Sequence, residues 1–324
     1  MSNWTVRAAL FLMLVSVIPQ SAGGQGVVDS SKNPLQVATL HWYGANQVTQ
    51  FTVGSFPAGV AFDGGNIWVA NLAGNTVTKL RANDGTNLGS FAAGTGPYAL
   101  AYDGANIWAA DGGSNTVTKI RASNGATLGT FTVGNTPSAI VFDGANIWVA
   151  NAGSNTVSKL RASDGKVLGT FPVGNNSQGI AFDGRNIWLS NSGTNSAPGT
   201  TVTKLGTDGT ILGTFTVGKG PLTMAFDGAD IWVTNNWTNT VTKLRTDGVD
   251  LGDFAVGTLP NGIAFDGANV WVANSGDNTV SKLRVSDGKV LGTFSVGSFP
   301  VNGVAFDGAN IWVTNGGSNS ISKL

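Results

Sequence analysis

The chain has 324 residues, no cysteine, a formal net charge of zero, and charged side chains at only 11% of positions. That composition excludes a disulfide framework and thiolate chemistry, and it provides no strong non-specific attraction for nucleic acid or an anionic membrane. All 18 acidic residues are aspartates, the single histidine is His41, and the length is enough for a large core without metal or disulfide staples.

In chain order, the first segment stands apart. Met1 to Arg7 is short and carries Arg7, Ala8 to Ile18 is an apolar run of eleven residues, and Pro19 to Gly24 is a stretch of small and turn-forming residues. This is the layout of a secretory signal peptide over residues 1–24, with cleavage after Gly23 or Gly24. The apolar run is short for a membrane span, and an uncleaved anchor is the alternative. Residues 25–45 read as a linker that contains His41. Asn236-Trp237-Thr238 is a formal glycosylation sequon, relevant only in a eukaryotic secretory route.

From residue 46 to 324 a unit of about forty residues recurs seven times. Its anchor is Phe-Asp-Gly followed by Asn-Ile-Trp-Val-Ala-Asn. The anchor aspartates are Asp63, Asp103, Asp143, Asp183, Asp227, Asp266 and Asp307, spaced by 40, 40, 40, 44, 39 and 41 residues. Within the third unit, Ala139 to Phe142 is a short apolar run that stops at Asp143-Gly144. Asn146 to Ala150 follows, then Thr156 to Leu160, then Val167 to Val173, with Gly/Ser/Asn/Asp turns between them. These runs predict four consecutive strands, A to D, joined as hairpins. No stretch has a helical period.

Four strands per unit at this period predict an all-β, seven-bladed β-propeller of four-stranded antiparallel blades. The in-phase tryptophans, from Trp68 to Trp312, are expected to pack between blades. The in-phase lysines, from Lys79 to Lys323, read as a solvated strand face, and the anchor aspartates as turn formers. Strands A and B are apolar and strands C and D alternate with polar residues, which suggests that C and D meet water.

The last unit ends on strand C, at Ile321 to Leu324. The segment from Gln47 to Gly54 matches a strand D with no A to C before it. It is expected to complete the seventh blade, which closes the ring and removes an exposed edge. Val37 to Leu40 also matches strand C, so residues 37–40 and 321–324 compete for that place. The sequence leaves this choice open.

The strand-B motif resembles the YVTN β-propeller repeat family. Trp232-Val233-Thr234-Asn235 and Trp312-Val313-Thr314-Asn315 differ from the family motif only in Trp for Tyr. Val133-Gly134 with Pro137, Ser154-Asn155-Thr156-Val157 and Leu168-Gly169-Thr170 also match its flanks, and the resemblance covers residues 46 to 324. It implies a propeller of an exported or surface-layer kind. The related streptogramin lyases use a histidine base and a magnesium site with a glutamate ligand, and the repeats contain neither residue type.

In a propeller the D-to-A and B-to-C loops share one face, and here that face holds the departures from the repeat. Phe56, Tyr98, Gln178, Lys219, Leu259, Asn261, Phe299 and Asn302 stand out in D-to-A loops. Asp111, Asn236, Trp237 and Asp277 stand out after strand B, and the fourth unit has an insertion at 195–199. Aromatics beside amides suit the stacking of a sugar ring or the anchoring of a peptide. The candidate ligand-binding set is therefore Trp237, Asn236, Tyr98, Phe56, Phe299, Lys219, Asp111 and Asp277, and loop packing is the alternative for the aromatics. Asp111 and Asp277, facing each other across the channel, are a conceivable weak cation pair. No catalytic residue, cofactor or phosphate loop is assigned.

The favoured reading is an exported, non-catalytic binding or scaffold protein, monomeric, taking a glycan or protein ligand in the periplasm, outside the cell or at its surface. An aspartate- or metal-dependent propeller enzyme and a purely structural envelope component are the alternatives.

Overall fold

The computed structural model describes residues 49–324. The expected signal segment, the linker and residues 37–40 lie outside them. Seven antiparallel sheets of four strands each form the seven blades. In blade one, strands A to D are Pro57–Phe62, Asn66–Asn71, Thr76–Arg81 and Asn87–Ala92. The other blades repeat this order. The one helical element among the described residues is a single 3-10 turn at Gly316–Ser318.

Blade seven takes strands A to C from Pro300–Phe306, Ile311–Asn315 and Ser320–Lys323, and its strand D from Thr49–Thr52. The register pairs Thr49 with Lys323 and Phe51 with Ile321. Residues 320–323 therefore hold the strand C place of the last blade.

The A-to-B turn shows why Asp-Gly recurs. Asp63 Oδ1 accepts the backbone N–H groups of Gly65 and Asn66, and Gly64 sits at φ +95°, where a side chain would be strained. The aspartate also does more than form a turn. Its Oδ2 accepts the Trp68 indole N–H at 2.8 Å, and the same bond recurs in all seven blades at 2.7–2.8 Å.

That bond aims each tryptophan at the next blade. Trp68 is fully buried and packs with Leu100, Ile107 and Ile120 of blade two, together with Phe91 of its own strand D. Phe91 in turn covers the C-to-D turn of blade two. A Cβ on Gly125 would lie 1.8 Å from its ring, so only glycine fits there. The equivalent cluster at the closure joins Trp312 and Ile321 of blade seven to Ile67 and Leu80 of blade one.

Two expectations fail, and for one reason. Strand C is buried, not solvated: Thr76–Arg81 is enclosed except at its last residue, whereas the outer strand Asn87–Ala92 alternates exposed and half-buried. Accordingly, the in-phase lysines do not form a solvated face. Each lies over the tryptophan of its own blade, with Nζ 4.7–5.2 Å from the ring centroid. Six of them also donate to a backbone carbonyl of the following blade, as Lys119 does to Ala162 at 2.7 Å. Lys323 carries this bond across the closure to Ala82 at 2.9 Å.

Candidate functional site

The D-to-A and B-to-C loops do share one face, because they bond to each other. Leu72 N donates to the Phe56 carbonyl at 3.0 Å and Ala73 N to that of Ser55 at 3.2 Å. Each D-to-A loop also contains one residue in the left-handed region. Glycine fills that place in blades two and five, as Gly96 and Gly220. In the other blades it is Phe56 (φ +51°), Thr136 (+50°), Asn176 (+54°), Leu259 (+51°) and Phe299 (+52°). A bulky or β-branched residue there is a backbone outlier that surrounding structure must hold.

The holding groups are asparagines of the preceding blade. Phe56 N donates to Asn319 Oδ1 at 2.9 Å, Leu259 N to Asn239 at 2.9 Å, and Phe299 N to Asn278 at 2.7 Å. Gly96, Thr136 and Asn176 have the same bond to Asn75, Asn115 and Asn155. At Gly220 the acceptor is the Gly199 carbonyl of the blade-four insertion instead, at 2.8 Å. That insertion lengthens strands B and C into a hairpin, Asn186–Thr194 with Ala197–Gly206.

The candidate residues separate into three groups. Trp237, Phe299 and Phe56 are on the surface of this face. Trp237 is 53% exposed and lies against Gly220, where a Cβ would meet its ring at 2.0 Å. Phe299 is 45% exposed, and its ring centroid is 6.2 Å from that of Phe56, across the closure between blades seven and one. Leu259, in blade six and 44% exposed, lies between the positions of Trp237 and Phe299 in blade order. Blades five, six, seven and one thus present four apolar side chains in succession.

Asn236, Lys219 and Asp277 form a polar second group. Asn236 Nδ2 donates to the Pro260 carbonyl of the next blade at 3.2 Å. The Lys219 carbonyl accepts Trp237 N at 3.1 Å, while its ammonium group is exposed and has no ion pair among the described residues. Asp277 accepts Thr258 N at 2.6 Å and Thr258 Oγ1 at 2.5 Å, and these bonds hold its carboxyl below the usual range.

Tyr98 and Asp111 are more enclosed. Tyr98 is half-buried, and burial raises its hydroxyl pKa, opposed by the facing Asn302 side chain of blade seven. Asp111 is fully buried at the end of strand B of blade two. Its Oδ2 accepts Thr118 Oγ1 at 2.7 Å and Thr116 Oγ1 at 3.2 Å. Asp111 is thus enclosed in blade two, and Asp277 is bonded to Thr258 in blade six. Among the described residues, no group of three or more His, Cys, Asp or Glu is placed to hold a metal ion.

Asp111 stands where the other blades have asparagine, such as Asn71, whose Nδ2 donates to Thr76 and Thr78. Burial raises the Asp111 pKa from 3.8 to about 6, against the opposing threonine bonds. Between those values the folded chain holds a proton that the unfolded chain has lost. Stability therefore falls as pH rises from about 4 to about 6, and stays lower above that range. Asp111→Asn is expected to gain about 2–3 kcal/mol at pH near 8 and nothing near pH 3. Denaturant midpoints of both proteins at the two pH values check this.

The channel along the axis holds a cavity of about 180 Å³. Ser138, Gln178, Thr223 and Asn302 line it with polar groups, and residues such as Leu100 and Ile140 with apolar ones; no ionisable side chain does. Phe56 and Phe299 were visible in the sequence, but their backbone strain was not. Aligning them with Gly96 and Gly220 would have exposed it, and would have added Leu259 to the site.

No family model matches the chain, and no curated protein matches it in sequence. Solved structures do match its fold. Hydrazine synthase of Kuenenia stuttgartiensis is similar with a TM-score of 0.73 and 19% identity, over 83% of this chain and 95% of that one. Virginiamycin B lyase of Staphylococcus aureus has a TM-score of 0.72 and 19% identity, over 86% and 98%. Its catalytically inactive histidine-to-alanine variant with quinupristin has a TM-score of 0.72 and 20% identity, over 86% and 98%. The chain is a seven-bladed β-propeller. At these identities the likeness extends to the fold alone.

Proposed function

We propose that this chain is an exported, non-catalytic binding propeller of the YVTN type, which takes a glycan or protein ligand on the face formed by its D-to-A and B-to-C loops. The observation that carries this reading is the run of Trp237, Leu259, Phe299 and Phe56 on four consecutive blades. Three of these side chains are about half exposed, and three of the four stand on strained backbone. Exposed apolar patches rimmed by polar groups mark interaction surfaces. Held by asparagines of neighbouring blades, the loops are ordered before any ligand arrives, which lowers the entropy cost of binding.

The signal-like residues 1–24 and the absence of cysteine support export. Residues 49–324 contain no histidine and no glutamate, so the chemistry of the similar lyase, inactivated by loss of a histidine, has no counterpart here. Among the described residues no helix is long and apolar enough to cross a membrane.

The test is a screen of glycans and cell-wall polysaccharides together with pull-down from envelope extract, using the wild-type propeller beside Trp237→Ala. A ligand held by the wild type and lost by the variant is the expected result. Ligands that bind both proteins equally would place recognition elsewhere on the molecule.

A further inference from the structure

The loop face differs from the rest of the molecule in charge. Among the described residues it carries two exposed ionisable groups, Lys219 and Asp277. Asp277 is already bonded to Thr258. The anchor aspartates and the arginines of the C-to-D turns lie on the opposite face, and the in-phase lysines lie between blades. The position before each left-handed residue is exposed and, apart from Lys219, carries a neutral hydroxyl or amide: Ser55, Thr95, Asn135, Asn175, Thr258 and Ser298. Blades three and four add Thr136 and Asn176 to this polar arc, opposite the apolar arc of blades five, six, seven and one.

Resting on the loop-face reading above, we infer that the ligand is an uncharged polysaccharide. A neutral sugar chain has an apolar C–H face for Trp237 and the Phe56–Phe299 pair, and hydroxyls for the surrounding hydroxyl and amide groups. An anionic glycan would meet a single free cation, Lys219, too little for the charge complementarity such ligands need. A folded protein partner commonly brings charged rim residues, and this face offers almost nothing to pair with them.

The strained phenylalanines support a ligand role. Glycine serves the same loop position at Gly96 and Gly220 without strain, so Phe299 and Phe56 are not needed to make the turn. A side chain kept at a site where it opposes local backbone preference is accounted for by what it contacts.

The experiment measures binding of the propeller to the neutral polysaccharides laminarin, dextran, xyloglucan and galactomannan, and to the anionic alginate and polygalacturonate. Low and high salt are compared, with Trp237→Ala and Phe299→Gly beside the wild type. Expected are binding to at least one neutral polysaccharide, an affinity roughly constant from about 0.05 to 0.5 M salt, and losses of roughly 10- to 30-fold in each variant. Phe299→Gly should also melt no lower than the wild type, which separates a ligand contact from a folding role. Binding to the anionic polymers alone, or to an envelope protein and no polysaccharide, overturns the inference; the loop-face reading survives if the variants abolish that binding. Binding of a neutral polysaccharide that neither variant weakens overturns both, and failure of all four neutral polymers overturns the inference.

Discussion

Trp148→Ala is expected to destabilise the propeller by about 3–5 kcal/mol, the usual range for removing a buried tryptophan. Trp148 is fully buried against Ile180, Ile187, Leu189 and Leu205 of blade four. It stacks on Phe171 at 5.9 Å and lies under Lys159, whose Nζ is 5.1 Å from the ring and donates to the Thr207 carbonyl at 2.7 Å. Its indole N–H donates to Asp143 at 2.7 Å. One truncation therefore opens a cavity between two blades, removes the ring beneath an ammonium group, and takes a donor from a half-buried carboxylate.

Trp148→Phe separates these contributions. It keeps most of the volume and loses the N–H, with an expected cost of about 1–3 kcal/mol. Burial pushes the Asp143 pKa up, but the bond from Trp148, with the bonds from Ala145 and Asn146, outweighs it and holds the carboxyl below 3.8. A carboxyl lowered in the folded state contributes stability that is present above 3.8 and lost as pH falls through the folded value. Without the indole donor the acid-unfolding limb should move to higher pH. Denaturant titration near neutral pH, followed by acid titration, reads both effects. A loss under about 1 kcal/mol for Trp148→Ala would contradict the inter-blade core described here.

The second large effect is at the closure. A chain beginning at Gly54 lacks the Thr49–Thr52 strand, and one beginning at Gln47 keeps it. The shorter chain loses the pairing with Ser320–Lys323, the Phe51 ring stacked on Trp312 at 5.5 Å, and the cover of Phe51 over the Gly85 turn of blade one. Burial of one phenylalanine contributes about 1.5–3 kcal/mol and its ring contact about 0.5–1.5. The expected loss is therefore about 2–4.5 kcal/mol, with association through the uncovered edge of Ser320–Lys323. Thermal unfolding and light scattering of the two chains decide it. Equal melting temperatures and equal monomer fractions would show that Thr314, bonded to the Ala58 carbonyl at 2.6 Å, and Lys323, bonded to Ala82, suffice to close the ring.

Much of this architecture is legible in the sequence. The period, the Asp-Gly turns and the strand-length runs specify blades, because each encodes a local conformation. The unpaired strand D near Gln47 to Gly54 was legible too, since a repeat that starts on its last element must find the others elsewhere. Lys119 was misread because alternation in one strand says which residues share a face, but not what covers that face. Here a neighbouring blade covers it. Asp111 was misread because its charge suggested exposure, while the asparagines it replaces are buried.

The sequence by itself determined the seven blades and the strand that completes the seventh, because turn chemistry and a two-residue period act over a few residues. Only the tertiary structure decided which residues form the apolar arc on the loop face. The arc from Trp237 through Leu259 and Phe299 to Phe56 runs over blades five, six, seven and one. Its last step exists only because the ring closes and brings residue 56 beside residue 299. The left-handed φ of those loop residues is likewise imposed by Asn239, Asn278 and Asn319 of the preceding blades. A contact between chain segments some 240 residues apart leaves no local pattern in a sequence, so only the closed ring brings these side chains together.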